Sequence, residues 1–304
     1  MEGVVIRATG SWYEVLAEGQ RYNCRIRGRL RLKGARSTSP VVVGDVVQFE
    51  ADTEENYVIS EITPRRNYII RRASNLSKES HIIAANIDRA ILVATLFSPT
   101  TATEFIDRFL VTCEAYKIPA TIILAKVDLA QKEREAMEEF IATYNSAGYE
   151  VVEVSATEGV GLERVKELLQ GHTTLISGNS GVGKSTLIGA IEPDIEIKTG
   201  EISSSHHKGK HTTTFSTIYP LSIGGYIIDT PGIKGFGLLD IDDDELWHYY
   251  PEMMKYGTEC QFYNCTHTHE PKCAVVRAVE SGEIAYSRYE SYLKILDEDE
   301  KYRK

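Results

Sequence analysis

The sequence predicts a three-part α/β chain: a small β-barrel, then a mostly parallel sheet covered by helices on both faces, then a helical C-terminal part. Three observations predict it. Residues 1–66 carry short strand-like runs separated by turn residues. Residues 67–238 alternate buried-type strands with helical stretches. Residues 239–304 are helical in pattern and enclose a tight group of cysteines and histidines. The chain has 304 residues, 42% of them hydrophobic and 26% charged, which suits a soluble globular protein of two or three domains.

The barrel comes first. Gly3–Ala8, Trp12–Leu16, Tyr22–Arg27, Val41–Val43, Asp45–Phe49 and Tyr57–Ile62 read as strands, with turns at Thr9-Gly10, Glu18-Gly19, Lys33-Gly34 and Gly44-Asp45. So many short strands in about 65 residues suit a closed barrel, of which the OB-fold is the nucleic-acid-binding example. Trp12, Tyr13 and Tyr22 are expected in the barrel core rather than as base-stacking platforms. Pro64-Arg-Arg and Arg71-Arg72 read as a basic linker.

The net charge of −10 is unevenly spread. Residues 1–72 hold 12 Lys/Arg against 9 Asp/Glu, a balance of +3 that leaves −13 for the remainder. Between Arg21 and Arg36 there are seven basic residues and no acidic one. Such a run is either a solvated strand face or a footprint for a phosphate backbone. No apolar run reaches membrane-spanning length, and the start lacks the basic and apolar regions of a signal peptide, so a cytoplasmic protein without membrane contact is expected. Five cysteines are too few and too uneven for a disulfide framework, and Cys24 and Cys113 fall in strand and helix patterns as packing residues.

In the central part, Arg89–Thr95, Ala120–Ala125, Tyr149–Val154, Thr173–Ser177 and Gly225–Asp229 are buried-type strands, and Phe105–Tyr116, Gln131–Ala147 and Leu162–Leu169 are helical. After the fourth strand, Gly178-Asn179-Ser180-Gly181-Val182-Gly183-Lys184-Ser185-Thr186 fits the phosphate-loop pattern G-x-x-x-x-G-K-[ST]. Glycines let successive N–H groups turn inward toward phosphate oxygens, and the helix that follows adds its positive end. In such a loop Lys184 reaches the β- and γ-phosphates and the Ser185 hydroxyl ligates Mg²⁺.

Asp229-Thr-Pro-Gly232 ends a strand 44 positions after Ser185. A strand-end aspartate there supplies a second Mg²⁺ contact, often through water, and the Gly232 N–H is placed for a γ-phosphate oxygen. Ala125-Lys126-Val127-Asp128 also ends a strand. The Asp128 carboxylate can accept from N1–H and N2–H₂ of guanine, a donor pair that adenine lacks, so it can discriminate by about 10⁴. Ser155-Ala156 offers a backbone N–H to the guanine O6. The polar stretch Ser203–Thr214 is expected to be a mobile loop.

Cys260-x₄-Cys265-x-His267-x-His269-x₃-Cys273 gathers three thiols and two imidazoles in 14 residues. Three thiolates and one imidazole make a closed, structural zinc site with no open position for catalysis. The ion would pin a short loop with too few apolar residues to fold alone.

The order of these motifs is informative. The base-reading motif and Ser155-Ala156 precede the phosphate loop, and His211-Thr-Thr-Thr214 and Asp229–Gly232 follow it. With a barrel in front and the Cys/His cluster behind, the whole chain resembles the circularly permuted bacterial GTPases of small ribosomal subunit biogenesis, the RsgA family. The resemblance implies an OB-fold RNA-binding domain at 1–66, a permuted GTPase domain at 67–238 and a zinc-binding helical domain at 239–304. It selects His267 over His269 as the fourth zinc ligand. It implies GTP hydrolysis to GDP and phosphate in late maturation of the 30S subunit, contact with its 16S rRNA, and stimulation by that particle. A monomer is expected. The alternative is a nucleotide-sensing RNA-binding assembly factor with negligible turnover.

Two departures matter, the first from the family's pattern and the second from GTPases in general and shared with the family. Ala125 stands where the family's base motif begins with Asn, a loss of about one hydrogen bond and roughly 1 kcal/mol. With Asp128 intact, weaker affinity with retained specificity is expected. Ile233 stands where ordinary GTPases carry a water-orienting glutamine, so slow intrinsic hydrolysis is expected. His211 is the nearest candidate to orient water, and Thr213 the candidate to close on Mg²⁺ in the GTP state.

Overall fold

The computed structural model describes residues 1–27, 40–52, 56–72, 80–130, 133–193, 195, 217–229, 241 and 244–303. Strands β1 (Glu2–Thr9), β2 (Trp12–Ala17), β3 (Gln20–Ile26), β4 (Val46–Ala51) and β5 (Tyr57–Ile62) form the front unit. They pair in the order β1-β2-β3-β5-β4, and β4 returns to pair with β1, so the sheet closes on itself. Alternation does the rest: Val5, Tyr13, Val15, Cys24, Val47, Phe49 and Ile59 point into one apolar cluster. Tyr13 and Cys24 are thus core, as expected. Tyr22 is half-buried against Phe49 and Tyr57. Trp12 lies instead on the outside, 36% exposed, with the Arg25 guanidinium 3.9 Å over its ring.

Val41–Val43 does not form a strand. The Asp45 carboxylate accepts from the Val42 N–H at 2.8 Å and folds the segment into a turn, leaving a single bridge from Val43 to Ala84. Gly44 has φ +86°, and a Cβ there would lie 2.1 Å from the Ala85 carbonyl oxygen, so only glycine lets the turn dock. The basic linker is not a free tether either. Arg65 grips the buried Asp45 through Nε (2.6 Å) and Nη2 (2.8 Å). Arg66 reaches Asp88, whose other oxygen accepts from the Thr173 N–H. Beyond them β6 (Tyr68–Arg72) and β7 (Ser80–Ala85) form a hairpin.

Next come β8 (Arg89–Ala94), α1 (Thr103–Ala115), β9 (Ala120–Ala125), a 3₁₀ turn at Val127–Ala130, α2 (Arg134–Ser146), β10 (Glu150–Val154) and α3 (Leu162–Leu169). They are followed by β11 (Thr173–Ser177), α4 (Lys184–Ile191), β12 (Thr217–Pro220) and β13 (Tyr226–Asp229). The sheet order β10-β9-β8-β11-β13 is parallel throughout, and β12 adds antiparallel to β13. Along β8 the side chains divide strictly: Ala90, Leu92 and Ala94 meet α1 and α2, whereas Ile91 and Val93 meet α3 and α4. This explains why the strand reads as a continuous apolar run. Strand β12 pairs with β1 at Thr217 and Arg7, joining barrel and central sheet into eleven strands.

The C-terminal part holds a 3₁₀ turn at Leu246–Tyr249, then α5 (Pro251–Gly257), α6 (Ala274–Glu280) and α7 (Tyr286–Arg303). Its core of Leu246, Trp247, Tyr250, Met253, Val275 and Tyr292 extends to Val111 of α1. Among the described residues no helix is long and apolar enough to cross a membrane.

Candidate functional site

Because β9, β10, β11 and β13 run parallel, their carboxyl ends share one edge of the sheet, where an open α/β sheet binds its ligand. Ala125–Asp128, Ser155-Ala156, Gly178–Thr186 and Asp229 all sit at those ends. Segments up to about 100 residues apart in sequence are thus brought to one edge.

The phosphate loop turns on Gly178 and Gly183, with φ of +147° and +101°. A Cβ on Gly178 would meet the Val93 carbonyl oxygen at 2.3 Å, so the loop leaves β11 flat against β8 only because the side chain is absent. Val182 is fully buried and anchors the loop's centre. Lys184 donates to the carbonyls of Gly178 (2.6 Å) and Asn179 (2.7 Å), folding its ammonium over the loop. A cavity of about 230 Å³ opens there, lined by Lys126, Ser180, Gly181, Lys184, Ser185 and Thr186.

Lys126 takes φ +60° at the end of β9, and its ammonium donates to the carbonyls of Ser98 and Gly181, both at 2.6 Å. The base motif is therefore braced directly on the phosphate loop. Ala125 is buried and paired with Val154, and Asp128 lines a second cavity of about 230 Å³ with Val127, Arg134 and Met137. Ser155 is fully buried, and its N–H is taken by the Val160 carbonyl at 3.1 Å. The half-buried Ala156 is then the residue of this pair whose N–H has no partner among the described residues.

Asp229 closes β13 beside Ile176 of β11. His211, Thr213, Gly232, Ile233, the 203–214 loop and the basic positions 28–36 lie outside the described residues.

The second centre is the cysteine cluster. Ligand atoms of Cys260, Cys265, His267 and Cys273 lie within 4.8 Å of one another. A tetrahedron with metal–sulfur bonds of about 2.3 Å has edges of roughly 3.8 Å. The Cys260 and Cys273 sulfurs are 3.9 Å apart, and His267 Nδ1 is 3.6 and 3.3 Å from them. Burial, and then the neighbouring sulfurs, push the Cys265 thiol up to about 12, so a cation is what would hold it as thiolate at neutral pH. Burial likewise lowers His267, which keeps the imidazole neutral and able to ligate. The Ala274 and Val276 N–H groups donate to the Cys260 and Cys273 sulfurs. The residues fit a metal. His269, by contrast, is exposed and bonded to the Thr268 hydroxyl.

The sequence left one feature of this region unseen. Arg288 of α7 is 1% exposed and bonds Asp107 of α1 (2.5 Å) and Glu252 of α5 (2.7 Å), with its guanidinium 4.7 Å over the Tyr250 ring. Arg288 sits among aromatic and acidic residues in a helix whose periodicity gives no hint of it.

Comparison with known proteins agrees with this geometry. Residues 62–239 match the RsgA GTPase family and residues 2–59 the RsgA N-terminal domain. The chain is 53% identical to a Phocaeicola vulgatus protein named small ribosomal subunit biogenesis GTPase RsgA, over 100% of this chain and 99% of that one. A Bacteroides fragilis protein of the same name is 52% identical with the same coverage. Among solved structures, YjeQ from Thermotoga maritima superimposes with a TM-score of 0.79 at 35% identity, covering 98% of this chain and 97% of that one. YloQ, described as a circularly permuted GTPase, gives 0.75 at 31% identity, covering 100% and 96%.

Proposed function

The chain belongs to the RsgA GTPase family, whose members hydrolyse GTP, and on that premise we propose that it acts in late maturation of the small ribosomal subunit. The carrying observation is the permuted order of four segments with nucleotide-site motifs gathered at one sheet edge, within a full-length match to proteins of that name. The proposed partners are GTP and GDP, the 30S subunit and its 16S rRNA, with the protein working as a cytoplasmic monomer. The proposed units are a barrel at 1–66 that contacts RNA, a GTPase unit at 67–238 and a zinc unit at 239–304.

In this reading Asp128 accepts from the guanine edge and the Ala156 N–H meets O6. The 178–186 loop cradles the phosphates. Its lysine then exchanges the Gly178 and Asn179 carbonyls for phosphate oxygens, which keeps the loop folded in both states. Ser185 and Thr213 would hold Mg²⁺, with Asp229 behind water, and the bound ion would supply charge neutralisation on the β- and γ-phosphates. The Gly232 N–H would meet a γ-phosphate oxygen. Ile233 cannot orient water, so turnover is slow until the 30S particle completes the arrangement, with His211 as the residue that orients the attacking water. Cys260, Cys265, His267 and Cys273 would hold one structural zinc, chosen over other ions because three thiolates and an imidazole make a closed tetrahedral set.

The test is GTP turnover with and without purified 30S particles over a salt series. Stimulation that falls as salt rises supports the reading. Unchanged, negligible turnover with particles present would favour the nucleotide-sensing factor instead. His211→Ala should lose stimulated turnover, and full stimulated turnover in that variant would remove His211 from the mechanism.

A further inference from the structure

The geometry points to a mechanical link that carries the state of the phosphate loop through α1 and Arg288 to the backbone of the metal ligand His267, so that nucleotide binding changes the zinc knuckle. The inference rests on the proposed nucleotide site. It assigns to Arg288 a positioning role between two centres that share no residue.

The link starts at Gly181. Its carbonyl and that of Ser98 are held by one ammonium, Lys126 Nζ, at 2.6 Å each. A Cβ on Gly181 would be 3.5 Å from Pro99, so the loop and the 98–99 segment are in direct contact. Thr95 fixes that segment from behind: its hydroxyl donates to Pro99 O, and its N–H donates to the Thr101 hydroxyl at 3.0 Å. Helix α1 begins at Thr103, and its first bonds run from Phe105 and Ile106 to Ala102 O. Phosphate entry acts on the same loop, because Lys184 holds the carbonyls of Gly178 and Asn179 and releases them to reach phosphate oxygens.

Asp107 is one turn into α1, fully buried. It takes Arg288 at 2.5 Å across a sequence separation of 181 residues and the Tyr144 hydroxyl at 3.1 Å. One turn earlier, Glu104 holds Lys294 at 2.6 Å, so α1 grips α7 at two points. Helix α7 then reaches the knuckle. The Tyr289 hydroxyl donates to the His267 carbonyl at 2.7 Å and the Tyr292 hydroxyl to the Thr266 carbonyl at 2.6 Å. Tyr289 is one residue from Arg288, and His267 carries φ +58°, a conformation with little freedom to absorb a shift. Buried charge pairs have narrow geometric tolerance, and α1 transmits displacement along its axis as a rigid element. A chain of contacts becomes a coupling only if both ends bias the same element. Here that element is α7: Arg288 and Lys294 tie it to Asp107 and Glu104, and between them Tyr289 and Tyr292 hold the knuckle carbonyls.

The test is amide hydrogen exchange of the full zinc-loaded chain across residues 260–273, with GDP, with a non-hydrolysable GTP analogue and without nucleotide. In the unaltered protein, exchange over this segment should differ at least about threefold between the analogue and nucleotide-free states. Arg288→Lys keeps the charge but loses the two-point grip, and should abolish most of that response while leaving analogue affinity within about twofold. Should Arg288→Lys fail to fold, the triple replacement Asp107→Leu, Glu252→Gln, Arg288→Met removes the buried charges together and serves the same purpose. A folded, metal-loaded variant that keeps the full nucleotide response overturns the inference, as does an unaltered protein whose knuckle ignores nucleotide. GTP turnover in the same samples separates the readings: turnover without a knuckle response sinks the link alone, whereas no nucleotide binding at all sinks the site on which it rests.

Discussion

The phosphate loop and the cysteine knuckle are both short, tight loops suited to a concentrated charge, and they prepare for it in opposite ways. At 178–186 Lys184 satisfies the loop's own carbonyls, and in the proposed reading the backbone N–H groups are kept for an external anion. In the knuckle the comparable N–H groups are already taken. Glu270 accepts from the N–H of Thr266 (2.7 Å), Thr268 (3.0 Å) and His269 (3.2 Å), so an internal carboxylate fills the nest. What remains for the ligand there is a set of four side chains. A loop that meets its ligand with backbone stays folded without it, because the flanking strand and helix hold its shape. A loop that meets its ligand with buried thiols depends on the ion for its stability.

That contrast can be broken by substitution. Cys265→Ser should cost most: metal content should fall toward zero, and the C-terminal unit should melt well over about 10 °C lower, read by metal analysis and calorimetry. Asp128→Asn should lower GTP affinity by up to about 10⁴ and move preference toward xanthine nucleotides, with no change in melting. Unaltered GTP binding in that variant would remove Asp128 from base reading. Lys184→Ala should reduce turnover by about 10²–10³ yet melt within about 2 °C of the parent, as expected for a loop held by its flanks. A collapse comparable to that of Cys265→Ser would erase the distinction. Ala125→Asn should tighten GTP binding about fivefold, measured by titration calorimetry, by restoring one hydrogen bond.

The smallest effect concerns the internal carboxylate. Burial pushes Glu270 up, but the hydrogen bonds from Thr266, its own N–H and Thr268 outweigh it and hold the group at about 2. A depressed carboxylate stabilises the fold above the unfolded value near 4.3, and that contribution is lost as pH falls through the folded value. The difference in melting between parent and Glu270→Gln should therefore be constant from pH 8 to 5 and shrink only below about pH 4.

What the sequence disclosed follows the same division. Residues with special local chemistry were legible: the glycines and lysine of 178–186, Asp128, and the spacing of the three cysteines. The parallel strands were legible because both faces are covered, which leaves unbroken apolar runs such as Ile91-Leu92-Val93. Val41–Val43 misled because its apolar side chains are buried in a turn, where one carboxylate, Asp45, sets the backbone. The β6–β7 hairpin and β12 were missed because charged residues or a short span ending at Pro220 mask the alternation. The brace made by Lys126 and the ion pairs made by Arg288 were invisible in a further sense. Each acts through carbonyls or carboxylates supplied by distant segments, and a sequence contains no local trace of such partners.

The pairing of Arg7 with Thr217 has a consequence for how the chain assembles during synthesis. The barrel owns all five of its strands once Ile62 has emerged, and β1 and β4 can then close it. The central sheet has no such early completion. Strand β11 keeps one open edge until β13 is made at 226–229, and β12 must arrive between β13 and the already finished barrel. The topology thus lets the N-terminal unit close before its first strand meets the last strands of the sheet. Vectorial synthesis makes the strands available in the order barrel, then β8 to β11, then the strand pair that joins one to the other.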